Sequence, residues 1–219
     1  WSAMAEEVVL LDFRPSPFGM RLRIALAEKG VKHEYREQDM ANKSSLLLQM
    51  NPVHKKVPVL LHNGKPVCES LIAVQYIDEV WEGSHRLLPD DNMSRAQARF
   101  WATYVDSTYY DASRRVWGAI GEEQEGAKDL AHCLKTMEEE LGHKPFFGGE
   151  ALGFVDVVFI PFYSWFQVYE RCGNLRLDAV CPKLLAWAER CMVKESVFKS
   201  LPHQDEVYDF VMHFRKNNA

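Results

Sequence analysis

The segment Glu7-Val8-Val9-Leu10-Leu11-Asp12-Phe13-Arg14-Pro15-Ser16-Pro17-Phe18-Gly19-Met20-Arg21 decides how the chain begins to fold. Its first part is a short apolar run rich in Val and Leu, which predicts a buried strand over about Glu7 to Asp12. Beyond it, Met20, Ile24 and Ala27 are spaced for one face of a helix. Pro17 suits the first helical position, where a missing N–H costs nothing, and Ser16 before it is a good N-cap. A serine hydroxyl therefore stands at a strand-to-helix junction, beside unpaired backbone N–H groups and the positive end of a helix dipole. That is a favourable place for an anion, a thiolate included. On this segment alone two readings of Ser16 stay open: a helix cap only, or a hydroxyl that also faces a bound anion.

Working outward, the helix runs from about Pro17 to Glu28 and stops at Lys29-Gly30, with Gly as the C-terminal signal. Lys32 to Glu37 alternates weakly and predicts a second, parallel strand, giving a βαβ unit. Asp39 to Met50 is polar, then a short apolar turn. Val57-Pro58-Val59-Leu60-Leu61 predicts a strand, and Asn63-Gly64 a hairpin turn, since both central residues of a type I′ turn need positive φ. Pro66-Val67-Cys68 returns, and Glu69-Ser70 opens a helix through about Trp81 with Leu71, Val74, Ile77 and Val80 on its stripe. This order, β-α-β-loop-β-β-α, is that of a thioredoxin-like domain, placed at 6–82. Residues 83–93, with Gly, Pro and Asp-Asp, read as a linker. From 94 to 219 the pattern is helical throughout. Ser94-Arg95-Ala96-Gln97 reads as a capping box for a helix reaching about Trp117. Glu122 to Leu141 is a second helix, Phe154 to about Arg171 a buried central one, and Pro182 to Lys194 and His203 to Arg215 two more. The fold class expected is α/β plus all-α.

Composition narrows the partners. The chain has 219 residues, 47% hydrophobic and 26% charged, with a net charge of -5. That balance argues against general attraction to nucleic acid or to anionic membranes. No apolar run reaches the ~18 residues of a membrane span, and no signal-peptide pattern opens the sequence. Trp1-Ser2-Ala3-Met4 is given no meaning. The five cysteines, Cys68, Cys133, Cys172, Cys181 and Cys191, form no CxxC and no zinc-like spacing. Reduced thiols in a cytosolic compartment, and no metal site, are the expectation.

Three further places carry chemistry. A proline in a strand cannot donate to the ladder. A cis Val57-Pro58 bond would turn the Val57 backbone outward to pair with an extended peptide; a trans bond at a strand start is the alternative. Glu69-Ser70 at a helix start is either dipole compensation and a cap, or a grip on a ligand's ammonium and carboxylate groups. Lys43 and Lys56 are single loop cations, read as solvated surface or as ligand contacts.

Ser16-Pro17-Phe18-Gly19-Met20-Arg21, Asn51-Pro52-Val53-His54-Lys55-Lys56-Val57-Pro58-Val59-Leu60 and Asn63-Gly64-Lys65-Pro66-Val67-Cys68-Glu69-Ser70-Leu71 together closely resemble the plant tau-class glutathione transferases. The resemblance continues through Arg95-Ala96-Gln97-Ala98-Arg99-Phe100-Trp101, Phe147-Gly148-Gly149 and Gly153-Phe154-Val155-Asp156 to Glu195-Ser196-Val197. It implies the cytosolic glutathione transferase fold, glutathione as co-substrate with no other cofactor, and a homodimer. It implies Ser16 as the catalytic hydroxyl and Lys43 and Lys56 at the glycyl carboxylate. Val57 before cis-Pro58 pairs with the cysteinyl backbone, and Glu69 and Ser70 take the γ-glutamyl end. For the second, hydrophobic and electrophilic substrate it implies Tyr110, Arg114 and Trp117, spaced i, i+4, i+7 on one helix face, with Trp165, Phe210 and Phe214, and Phe18 at the floor or the boundary. Each of these aromatics also fits plain core. Asp106 and Arg21 fit either a dimer interface or a charge network around glutathione. Gly153 departs from the Ser or Thr that many relatives have there, weakening a helix cap.

The activity expected is conjugation of the glutathione thiolate to hydrophobic electrophiles, of detoxification type. Serine rather than cysteine at position 16 favours conjugation over thiol transfer. A glutathione-dependent peroxidase activity would use the same thiolate. A non-catalytic carrier of hydrophobic metabolites is the competing reading, and it has no need of a thiolate stabiliser.

Overall fold

The computed structural model describes residues 6–82, 85–119 and 121–218; Trp1-Ser2-Ala3-Met4 and, of the expected linker, Gly83 and Ser84 lie outside the described residues. The chain divides into two units, one through Arg86 and one from Leu87.

The first unit runs β1 (Val8–Asp12), α1 (Pro17–Glu28), β2 (Glu34–Glu37), α2 (Ser45–Met50), β3 (Val59–His62), β4 (Lys65–Cys68) and α3 (Ser70–Val80). The sheet order is β2-β1-β3-β4, with β2 parallel to β1 and the other neighbours antiparallel. Every residue of β1 is buried, as a strand covered on both faces requires. Val9, Leu11, Val59 and Leu61 meet Leu47 of α2 on one face. Leu10 and Leu60 alternate to the other, toward α1 and α3, which pack on each other. Asn63 and Gly64 have φ of 50° and 74°, the two left-handed residues of a tight hairpin. The stretch before Asn51, expected as a turn, is helical: Ser44 Oγ accepts the Leu47 N–H at 3.1 Å and caps α2.

Among the described residues the second unit is helical: α4 (Asn92–Tyr104), a π-helical segment (Val105–Tyr109), α5 (Tyr110–Gly118), α6 (Glu123–Leu141), α7 (Phe154–Phe159), a 3-10 segment (Ile160–Trp165), α8 (Phe166–Gly173), α9 (Leu177–Val180), α10 (Pro182–Met192), α11 (Glu195–Phe198) and α12 (Gln204–Asn218). Three expectations are corrected here. The cap of α4 is Asp91, whose Oδ1 accepts from Met93 N at 3.0 Å and Ser94 N at 2.9 Å, so Ser94 lies inside the helix. The single helix expected to Trp117 is two, joined by the π segment, a single extra-wide turn that hydropathy spacing does not register. The central helix from Phe154 is likewise interrupted from Ile160 to Trp165, where Pro161 removes a backbone donor and crowds the preceding turn.

The second core is aromatic. Phe159 stacks on Trp187 at 5.2 Å, and Tyr109 meets Phe159 and Phe162 edge-on at 5.1 and 4.9 Å. The departure at Gly153 has a steric reason: a Cβ there would lie 2.8 Å from Gly148 Cα. The two glycines let the backbone cross itself, and the buried Asp156 holds the crossing, accepting from Phe147 N, Gly148 N and Gly153 N at 2.8, 2.8 and 2.9 Å and from Trp187 Nε1 at 2.7 Å.

Candidate active site

Strand register brings the segments that carry the glutathione-site residues predicted from sequence to one end of the sheet. Leu11, next to last in β1, lies opposite Val59, the first residue of β3, which lies opposite Cys68, the last of β4. Asp12 ends β1 opposite Glu37, the end of β2. The segments that enter or leave the sheet here are 13–16, 38–44, 56–58 and 69–70, which carry Ser16, Lys43, Lys56 with Val57-Pro58, and Glu69-Ser70.

Ser16 caps α1. Its Oγ accepts from Gly19 N at 3.3 Å, its own N–H donates to Phe13 O at 2.8 Å, and the residue is buried. A hydroxyl that accepts from the helix retains its own hydrogen as a donor. The Val57-Pro58 bond is cis. Lys43 is half-buried and Lys56 exposed. The 51–56 turn is organised by Asn51, whose Nδ2 donates to Lys56 O at 2.9 Å and whose Oδ1 accepts from His54 N at 3.2 Å. Glu69 has a φ of 67°, uncommon for a residue with a Cβ and a conformation that clusters at functional sites. Its exposed carboxylate has His54 Nε2 at 3.8 Å. Ser70 is buried, and its Oγ accepts from Arg21 Nη1 at 2.9 Å. Arg21 is itself fully buried, with its guanidinium 4.9 Å above the Phe18 ring. It joins the first turns of α1 and α3.

Sequence reading missed Asp12. The residue is fully buried at the end of β1, and burial pushes its carboxyl up to about 7 against the pull of Arg23. Its signal was an acid closing an otherwise apolar run. The role of Asn51 and the positive φ at Glu69 gave no comparable signal, because loop geometry is set by contacts distant in sequence.

In the second unit, Trp117 lies 5.2 Å from Trp165 and 5.6 Å from Phe214, and Phe210 lies 6.4 Å from both Trp165 and Phe214. These four rings form one cluster. The buried Trp165 Nε1–H has no acceptor among the described residues. Tyr110 pairs with Phe162 at 6.4 Å, a ring of the core, and Arg114 is exposed. Asp106 lies in the π segment. Arg215, one residue past Phe214, donates from Nη1 to Val116 O at 3.2 Å and pairs with Glu123, holding α12 to α5 and α6.

All five cysteines are free, and burial raises each thiol's pKa, that of Cys181 to about 12. Among the described residues no His, Cys, Asp and Glu cluster fits a metal ion, and no helix is long and apolar enough to cross a membrane.

A thioredoxin-like unit with a serine at the α1 cap, a cis-proline loop and a serine opening α3, followed by a helical unit, has close counterparts. Residues 6–79 match the glutathione S-transferase N-terminal domain, and residues 120–190 the C-terminal domain. A probable glutathione S-transferase, parC, of Nicotiana tabacum is 61% identical over 96% of both chains. The crystal structure of rice GST1 in complex with glutathione superposes with a TM-score of 0.93 at 50% identity, covering 99% of this chain and 100% of that one. A tau-class glutathione S-transferase of mango, Mangifera indica, gives a TM-score of 0.88 at 39% identity, covering 95% and 98%. The chain belongs to the glutathione S-transferase family and is one of its enzymes. Within that family it is of the plant tau class.

Proposed function

We propose that the protein joins the sulfur of glutathione to hydrophobic electrophiles, with the Ser16 hydroxyl donating to the sulfur anion. The observation that carries this reading is the geometry of the cap: Ser16 Oγ takes the Gly19 N–H at 3.3 Å, which leaves the hydroxyl hydrogen for an outside acceptor. Capping and catalysis are then one role. A thiol with a pKa around 8.5 is mostly protonated at neutral pH, and a hydroxyl donor at the positive end of α1 favours its anion. The anion attacks the electrophilic carbon, and holding the two substrates together supplies much of the remaining gain.

The tripeptide has two carboxylates, one ammonium group and an extended backbone. Lys43 and Lys56 take the glycyl carboxylate, and the Val57 backbone pairs with the cysteinyl residue. Ser70 and the start of α3 hold the γ-glutamyl carboxylate, and Glu69 holds the ammonium. That the segments carrying these groups leave from one end of the sheet supports the assignment. The cluster of Trp117, Trp165, Phe210 and Phe214 receives the apolar body of the electrophile, with Arg114 and Tyr110 beside it on α5. The Trp165 N–H, which has no acceptor among the described residues, favours electrophiles that carry a hydrogen-bond acceptor. We read the protein as a cytosolic homodimer, in which the exposed Ile72 of α3 and Phe100 of α4 are covered by the partner; sedimentation of the wild type and of Ile72→Glu tests this.

The test of function is conjugation of glutathione to an aryl halide by the wild type and by Ser16→Ala, with glutathione binding followed by calorimetry. Turnover that Ser16→Ala loses while still binding glutathione supports the reading. Binding without turnover in the wild type favours a carrier.

A further inference from the structure

Asp12 is a buried acid with no part in the chemistry above, and burying a carboxylate is costly unless something else holds it. Its surroundings tie it to Ser16 by two routes. The first runs through Gly19. A Cβ on that residue would lie 1.6 Å from Asp12 Oδ1, so the carboxylate occupies the space a side chain at 19 would need. Gly19 N is also the donor to Ser16 Oγ at 3.3 Å and to Ser16 O at 3.1 Å. One residue thus touches the carboxylate through its Cα and the serine through its N–H.

The second route runs through Arg23, one turn further along α1. Its Nε faces Asp12 Oδ2 at 3.2 Å, without the alignment of a hydrogen bond, and its Nη2 donates to Arg14 O at 2.7 Å, two residues before Ser16. On the sheet side, Asp12 Oδ1 accepts from Phe13 N at 2.7 Å, and the Asp12 carbonyl accepts from Gln38 N at 2.7 Å. Glu37 of β2 accepts from Arg14 N at 3.0 Å and from the Tyr35 hydroxyl. The charged and titratable groups around the carboxylate are therefore Arg23 on α1 and Tyr35 and Glu37 on β2.

We propose that the Asp12–Arg23 pair is a brace that positions Ser16: it locks the end of β1, the 13–15 turn and the first turn of α1 into one unit, so that the serine hydroxyl meets the glutathione sulfur in a fixed place. Both are positioning residues, since they act through Gly19 and Arg14 and touch no reacting atom. The proposal rests on the reading of Ser16 as the thiolate donor.

Asp12→Asn tests it. The amide keeps the volume against Gly19 and an acceptor for Phe13 N, and removes the charge that faces Arg23. The readout is the thiolate absorbance of bound glutathione as a function of pH, with kcat and the KM for glutathione on the same protein. The expected result is a bound thiol that titrates higher, toward the free value around 8.5. With it, kcat at neutral pH falls about tenfold, within the range that small misplacements produce, and the KM for glutathione stays nearly constant. A through-space charge effect has the opposite sign, because removing a negative charge favours a nearby anion. A lowered thiol titration, or no change in titration and kcat, overturns the brace. Arg23→Lys keeps the charge but loses the arm to Arg14 O, and is the second variant if Asp12→Asn does not fold. It is expected to shift the thiol in the same direction by less, and an unchanged titration there counts against the brace. Ser16→Ala separates the two ideas. If it leaves the bound thiol's titration unchanged, the serine reading fails; if it raises the titration while Asp12→Asn and Arg23→Lys do not, only the brace fails.

Discussion

Asp12 and Asp156 are both fully buried aspartates set against a glycine at the N-terminus of a helix, one in each unit, and they are satisfied in opposite ways. Asp156 accepts from three backbone N–H groups and the Trp187 indole. Among the described residues the Asp12 carboxylate accepts from Phe13 N alone and faces an arginine that is not aligned to donate to it. Burial raises the carboxyl pKa at both sites. A buried charge ringed by donors is a structural rivet. One left short of donors holds its place through packing and a counter-charge, and it stands close to the serine proposed to face the glutathione sulfur.

The largest effect should come from breaking the rivet. Asp156→Ala leaves three backbone donors and an indole N–H unpaired, and unfolding in urea should reveal a loss of about 3–5 kcal/mol. Removing the donor on the other side of the comparison should cost rate instead of stability. Ser16→Ala is expected to lower kcat by about a hundredfold or more, as loss of one anion-stabilising donor does, with glutathione affinity in calorimetry little changed. Gly153→Ser sharpens the contrast. Serine is the better N-cap by propensity, yet its Cβ meets Gly148 Cα, so the denaturation midpoint should fall, by about 1–3 kcal/mol of stability.

A further effect concerns pH. Burial pushes the Asp12 carboxyl up to about 7 in the folded chain, above the ordinary carboxylate range of about 4. As pH rises from about 4 to about 7 the unfolded chain has released a proton that the folded chain still holds, so this group's contribution to stability is present at acid pH and lost through that window. Asp12→Asn lacks the term. Its stability relative to the wild type, followed by urea midpoints across the same range, should rise with pH; a flat difference would show that Asp12 ionises normally.

Much of this was legible in the sequence, and the reasons are local. Val8 to Leu11 followed by Ser16-Pro17 specified strand, cap and helix, because burial and capping act within a few residues. Asn63-Gly64 gave the hairpin because only its φ requirement mattered. The stretches that escaped depend on distant partners or on register. The Val105–Tyr109 turn preserves an amphipathic pattern while widening the helix, Pro161 converts an apolar helix to 3-10, and the Gly148–Gly153 crossing becomes visible only when the backbone meets itself. At the candidate site, the family motifs named Ser16, Val57-Pro58 and Glu69-Ser70; Asp12, which touches the site's backbone, lies outside those motifs, and Asn51 opens one of them without a role that its position in the sequence discloses.

The raised thiols have a consequence for the protein's own survival. An enzyme that works among alkylating compounds risks becoming their target, and a cysteine is attacked mainly as its thiolate. With all five side-chain thiols pushed toward protonation, the sulfur offered to an electrophile under the proposed mechanism is the borrowed one on glutathione, which leaves with the product. The catalyst spends its co-substrate and spares itself. Whole-protein mass spectrometry after prolonged turnover with excess electrophile should therefore return the unmodified chain mass.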